Sequence, residues 1–138
     1  MDKPADFDWV TERVKCSTYS AFKELERLAK ANTEKREASL TERDRQMVSF
    51  RFESSSQWFS VIAENLTRQV EFRLRGDQIE IDGDGIKVNL RVTLTLNNEG
   101  DCRLRVNGEG ENQPWQVLRL ALEDLFFDIR SRREREGV

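Results

Sequence analysis

The sequence predicts an α+β fold: a six- or seven-stranded antiparallel, curved meander sheet with an N-terminal helix (or helix pair) and a long C-terminal helix packed on the sheet. Three observations lead there. Between residues 48 and 106 apolar side chains recur at every second position, the period of strands with one wet face. Short stretches of hairpin length separate these runs, three of them with a turn glycine (Gly76, Gly83 and Gly100). On either side of the block the apolar spacing changes to three and four, the period of a helix. The 138 residues suit one domain. We place it at 8–134, between a flexible N-terminus (1–7) and a flexible C-terminus (135–138).

The elements follow in order. "DWVTERVKC" (8–16) puts Val10, Val14 and Cys16 at even positions and reads as a strand, with Glu12 out of pattern. If it is not a strand, the order is simply helix, meander, helix. Ser17 and Thr18 are N-cap candidates. Phe22, Leu25, Leu28 and Ala29 then form a helical stripe. Residues 32–46 have no Pro or Gly and few apolar residues. They read as a second helix or a continuation, anchored by Ala38 and Leu40 with a solvated charged face.

Val48, Phe50 and Phe52 begin the alternating block. "SSSQ" is a turn, and "WFSVIAE" (58–64) is a strand whose facing is ambiguous: Trp58, Ser60 and Ile62 compete with Phe59, Val61 and Ala63. Val70, Phe72 and Leu74 follow, then Ile79 and Ile81, then every second residue from Ile86 to Leu96, then Cys102, Leu104 and Val106. "GEGENQ" (108–113) reads as a loop. Pro114 is at home in a first helical turn, and a helix from Trp115 to about residue 133 carries Leu118, Ala121, Leu122, Leu125, Phe126 and Ile129 on one stripe. Val117, Leu120 and Phe127 widen that stripe, so the helix is expected to be embraced by the sheet. Arg130, Arg132 and Arg133 near its end suit the helix dipole.

The turns test the alternation. A two-residue turn at Gly76-Asp77 sets Leu74 against Ile79 and Phe72 against Ile81. One at Gly83-Asp84 sets Ile81 against Ile86 and Ile79 against Val88. A loop at Asn98-Glu99-Gly100, with Gly100 left-handed, sets Leu96 against Cys102 and Leu94 against Leu104. All three registers place apolar on apolar.

Composition excludes several chemistries. Charged residues make up 36% of the chain, with a net charge of −3, which lacks the basic excess of a nucleic-acid binder. No apolar run approaches the roughly 20 residues of a membrane span. "MDKPADFDWV" lacks the features of a signal peptide, so a cytoplasmic location is expected. The chain has no histidine, which removes the commonest general base and zinc ligand. Cys16 and Cys102 form no CxxC motif. No metal and no cofactor are expected.

From "WVTERVKCS" to "WQVLRLALEDLFF" the order of elements resembles the helix-grip fold of the START-like (SRPBCC) superfamily, in which a curved sheet wraps around the last helix. The resemblance is one of element order, and no functional residue comes with it. It implies a domain that binds a hydrophobic ligand between sheet and helix, an enzyme of cyclase or hydrolase type, or a protein-binding co-chaperone domain. It also implies that the first strand runs antiparallel to the last. Cys16 and Cys102 would then be neighbouring, reduced thiols, as a cytosolic setting favours.

Candidate sites are few. "IEIDGDGIKV" (79–88) imitates a calcium loop, but the position needing a bidentate Glu falls on Arg91. Glu71, Glu80, Asp82 and Asp84 cluster nearby. The expected registers put Arg73 and Lys87 on either side of Glu80, a cross-strand charge ladder and a poor general acid. The cysteines read as inert core residues, "RGD" (75–77) as the hairpin turn, and Asn65-Leu66-Thr67 as a sequon that matters only on secretion. The outer sheet face carries Arg51, Arg73, Lys87, Arg91, Arg103 and Arg105, which an anionic or protein partner could use. Phe50, Phe52, Trp58, Phe72, Leu90, Trp115 and Leu122 are the candidates to line a ligand space between sheet and last helix, with a filled core as the alternative. The expectation is a non-catalytic domain binding a protein or an apolar small molecule. The alternatives are a cyclase- or hydrolase-like enzyme with a cavity and a chaperone-like homo-oligomeric module without one.

Overall fold

The computed structural model describes residues 3–129. Its sheet is a seven-stranded antiparallel meander whose spatial order is the chain order: β1 (Ser49–Ser54), β2 (Trp58–Glu64), β3 (Arg68–Arg75), β4 (Gln78–Asp84), β5 (Asn89–Leu96), β6 (Cys102–Val106) and β7 (Glu109–Asn112). Before it come α1 (Trp9–Lys15), α2 (Thr18–Ala38) and the single turn α3 (Glu42–Arg45), and after it α4 (Pro114–Phe127). The long helices α2 and α4 pack on each other and on one face of the sheet. Among the described residues no helix is long and apolar enough to cross a membrane.

Residues 9–15 are a helix, not the strand expected for 8–16. Local capping decides this. Asp8 accepts from the Thr11 amide at 3.1 Å and from the Thr11 hydroxyl at 2.6 Å, which nucleates a turn. The even spacing of Val10 and Val14 is equally an i, i+4 pair, and both lie exposed. Ser17 caps α2 as expected, accepting from the Ser20 amide at 3.1 Å. Phe22, Leu25 and Ala29 are its buried stripe. Further on, Leu40 is buried while Ala38 is exposed.

Two of the three expected registers are found. Phe72 faces Ile81 and Leu74 faces Ile79. Leu96 faces Cys102 and Leu94 faces Leu104, with Gly100 at φ 81°. The third is corrected: Ile79 faces Val92 and Ile81 faces Leu90, four residues beyond the expected partners Val88 and Ile86. Gly83 and Asp84 do not form the turn. They stay in β4, opposite Val70 and Gln69, because β3 begins early and needs partners for its first residues. The turn moves outward instead, with the Gly83 amide donating to the Val88 carbonyl at 2.8 Å. Gly85 sits at φ 75°, where a Cβ would lie 2.3 Å from the Thr67 carbonyl oxygen. A shift of four is even, so every side chain keeps its face.

The stretch 108–113 is also corrected, from loop to strand. Asn107 (φ 54°) and Gly108 (φ 80°) form a two-residue turn that brings Glu109 opposite Val106 and starts β7. In β2 the ambiguity resolves in favour of Phe59, Val61 and Ala63, all buried on the helix side. The apolar centre is a run of rings. Phe59 stacks on Phe72 with centroids 4.4 Å apart, and Phe22 and Phe52 lie against it at 5.2 and 5.8 Å.

Cys16 and Cys102 are neighbours, with alpha carbons 5.5 Å apart, as the resemblance implied. They meet by another route, since Cys16 ends α1 rather than a first strand. Their sulfurs are joined, which corrects the expectation of reduced thiols.

Candidate functional site

The residues expected to line a sheet–helix space occupy four different places. Phe50, Phe72 and Leu122 are buried in the core, where Phe50 meets Phe126 edge-on at 5.3 Å. Phe52 and Leu90 are half-buried at its margin. Trp58 pairs with Arg73 on the opposite face of the sheet, because it alternates with the inward Phe59. Trp115 is 55% exposed on the outside of α4. The interface between sheet and α4 is thus occupied by side chains from both.

Three members of the acidic cluster, Glu71, Glu80 and Asp82, pair with arginines, Glu71 with Arg73. Glu80 lies 3.3 Å from Arg75 and 3.9 Å from Arg91, and Asp82 lies 3.1 Å from Arg91. Arg73 is opposite Glu80 as expected, but Arg91 holds the place expected for Lys87, a consequence of the shifted register. Among the described residues no group of three or more His, Cys, Asp or Glu could hold a metal ion. Of the cations expected on the outer face, Arg51, Arg73, Arg91 and Arg103 are paired with acids, and each exposed pair is worth little in water.

The distinctive surface is the outward side of α4. This helix starts on a reciprocal cap: the Gln113 amide donates to Gln116 Oε1 at 2.7 Å, and Pro114 fills the first turn. Val117, Leu118, Ala121, Leu122, Leu125 and Phe126 are buried against the sheet and α2. The embrace expected for this helix is one-sided, for Leu120 is 58% and Phe127 68% exposed. The helix also stops at Phe127 rather than near residue 133. Arg36 Nε donates to the Phe126 carbonyl at 2.8 Å, and Arg68 Nη1 donates to that of Asp128. These two cations take up carbonyls that a further helical turn would use, and they complement the helix dipole. Arg130, Arg132 and Arg133, expected to play that part, lie outside the described residues.

Trp115, Arg119, Glu123 and Phe127 recur every four residues and form one ridge along the exposed side. Arg119 Nε lies 3.1 Å from Glu123 Oε2, and both side chains are more than half exposed. Phe127 is held by Arg36, whose guanidinium sits 4.7 Å from its ring centroid. Grooves flank the ridge on both sides. One, of about 280 Å³, is lined by Leu118, Leu122, Phe126 and, from α2, Asn32. The other, of about 360 Å³, is lined by Gln116, Leu120, Asp124 and Asn112. From sequence, Leu120 and Phe127 are expected to widen the stripe embraced by the sheet, and Trp115 to line a sheet–helix space; all three are exposed instead. The signal available was the i, i+4 series itself, with a charged pair set between two aromatic residues.

No family model, curated protein or solved structure matches this chain.

Proposed function

We propose that this chain is a non-catalytic interaction module whose partner is a second copy of itself, docked through the outward face of α4. One observation carries the reading: the exposed ridge is self-complementary about Ala121. A two-fold axis at the level of Ala121 sets α4 antiparallel to its copy. Trp115 then meets the level of Phe127 in the partner, and Arg119 meets the level of Glu123. Each ridge can enter a groove beside the other, in the manner of helix packing. The contact is isologous, so it closes at two subunits.

Exposure supports the reading. Trp115, Leu120 and Phe127 are the three large apolar residues that α4 leaves more than half exposed, and aromatic residues dominate binding energy at interfaces. The ridge from Trp115 to Phe127 spans about 18 Å, twelve residues at 1.5 Å. A contact of that length falls at the small end of specific interfaces, so the association is concentration-dependent. The packed sheet–helix interface supports protein binding over a small-molecule pocket. The helix-grip relationship stays a proposal of element order: the meander and its last helix favour it, and the helical segment 9–15 departs from it.

Sedimentation velocity over a concentration series tests the reading. Wild type is expected to shift from monomer to dimer. Trp115→Ala and Phe127→Ala are each expected to weaken the dimer by about 30-fold or more, the effect of losing an interface anchor of roughly 2 kcal/mol. A wild-type chain that stays monomeric up to millimolar concentration defeats it.

A further inference from the structure

We propose that Cys16 and Cys102 form a redox-controlled latch that holds the N-terminal arm, residues 3–16, against the end of the β5–β6 hairpin. The arm has little else to hold it. Helix α1 contributes no buried side chain. Trp9, Val10 and Val14 are 61%, 54% and 72% exposed. The noncovalent contacts gather at the hairpin loop. The Phe7 ring lies on Gly100, where a Cβ would come within 2.6 Å of it. Lys3 pairs with Asp101 at 3.6 Å, both partly exposed, a contact of little weight in water. Against these stands one covalent bond at the junction of α1 and α2.

The junction is built for independent movement of the arm. Cys16 is buried at 2% exposure, and its successor Ser17 starts a separately capped helix. From Phe22 onward that helix is anchored in the core. The seven residues of α1 are too few to remain helical unsupported. Opening the bond therefore melts the arm and leaves α2, α4 and the sheet in place.

Cys102 is solvent-exposed, so the bond is accessible to a reductant of the small-dithiol class. A thiolate of the dithiol attacks the Cys102 sulfur, and the Cys16–Cys102 bond breaks as Cys16 leaves as a thiolate and takes up a proton. The second thiol of the dithiol then displaces Cys102, which also leaves as a thiolate and is protonated. The dithiol departs as its own disulfide. Two electrons and two protons pass to the protein, and the reverse exchange closes the latch.

Hydrogen exchange on the full chain, oxidised and then reduced with dithiothreitol, tests the proposal. Amides of residues 9–15 are expected to exchange about ten-fold faster or more after reduction, while those of β2, β3 and β4 are unchanged. Cys102→Ser is expected to reproduce the released arm without reductant. In the oxidised protein, Phe7→Ala is expected to leave α1 protected. Four results overturn the latch: unchanged protection of 9–15 on reduction, loss of protection in β2–β4 on reduction, an arm released as fully by Phe7→Ala as by reduction, or two titratable thiols remaining after exposure to oxidised glutathione.

Discussion

Arg36 on α2 donates from Nε to the carbonyl oxygen of Phe126 on α4 at 2.8 Å, so one helix terminates the other across the core. The same guanidinium lies 5.5 Å from the Phe50 ring centroid and 4.7 Å from that of Phe127. One side chain thus fixes the end of the helix that carries the proposed interface. Arg36→Ala leaves that carbonyl unpartnered and removes both ring contacts. We expect a loss of about 1–3 kcal/mol in urea unfolding. Arg36→Lys keeps the charge but not the planar guanidinium, and it should recover only part of the loss. Equal stability of Arg36→Ala and wild type would show that the end of α4 needs no such partner.

Phe59 is the centre of the core, fully buried and touching the rings of Phe22, Phe52 and Phe72. Phe59→Ala is expected to cost about 3–5 kcal/mol, the usual range for a buried aromatic. Trp58 is adjacent in sequence but half-buried on the other face, and Trp58→Ala should cost clearly less. Urea midpoints of the two variants compare them directly, and a reversed order would mean that β2 faces the other way.

Asp8 caps α1, and its hydrogen bonds from the Thr11 side chain and amide hold its carboxyl below the ordinary value of 3.8. A lowered folded value means that the cap's contribution is fully present above the unfolded value. It is lost as pH falls through the folded value. The Thr11 amide resonance is therefore expected to be constant from neutral pH down to about 4, then to move toward its random-coil position under more acid conditions. Asp8→Asn keeps an acceptor and should remove that acid transition. A transition in Asp8→Asn identical to wild type would assign it to another group.

Much of the fold was legible because two independent signals agreed at each place. Alternation and turn glycine together gave the β3–β4 and β5–β6 registers, and an N-cap residue with a helical stripe gave α2. Departures arise where a local cap or the pairing of a neighbouring strand outweighs those signals. The spacing of Val10 and Val14 satisfies both periods, and only the Asp8–Thr11 cap separates them. Gly83-Asp84 has the chemistry of a turn, but pairing with Gln69 and Val70 holds it in β4. Asn107-Gly108 is a strong hairpin signal followed by the polar strand Glu109–Asn112, whose composition hides it. The surface of α4 was harder to see. Exposure of Leu120 and Phe127 depends on which side of the helix the sheet and α2 cover, and that is decided by tertiary packing.

Charge reversal across the two-fold axis tests the central claim most directly. In the antiparallel pair Arg119 lies at the level of the partner's Glu123, twice over. Arg119→Glu alone therefore sets acid against acid at both places, and the paired variant Arg119→Glu with Glu123→Arg restores opposite charges. Sedimentation equilibrium is expected to show a dimer for wild type, a dissociation constant raised about ten-fold or more for Arg119→Glu, and recovery of the dimer in the double variant. A double variant as weak as Arg119→Glu, or a single variant as tight as wild type, would contradict pairing through α4.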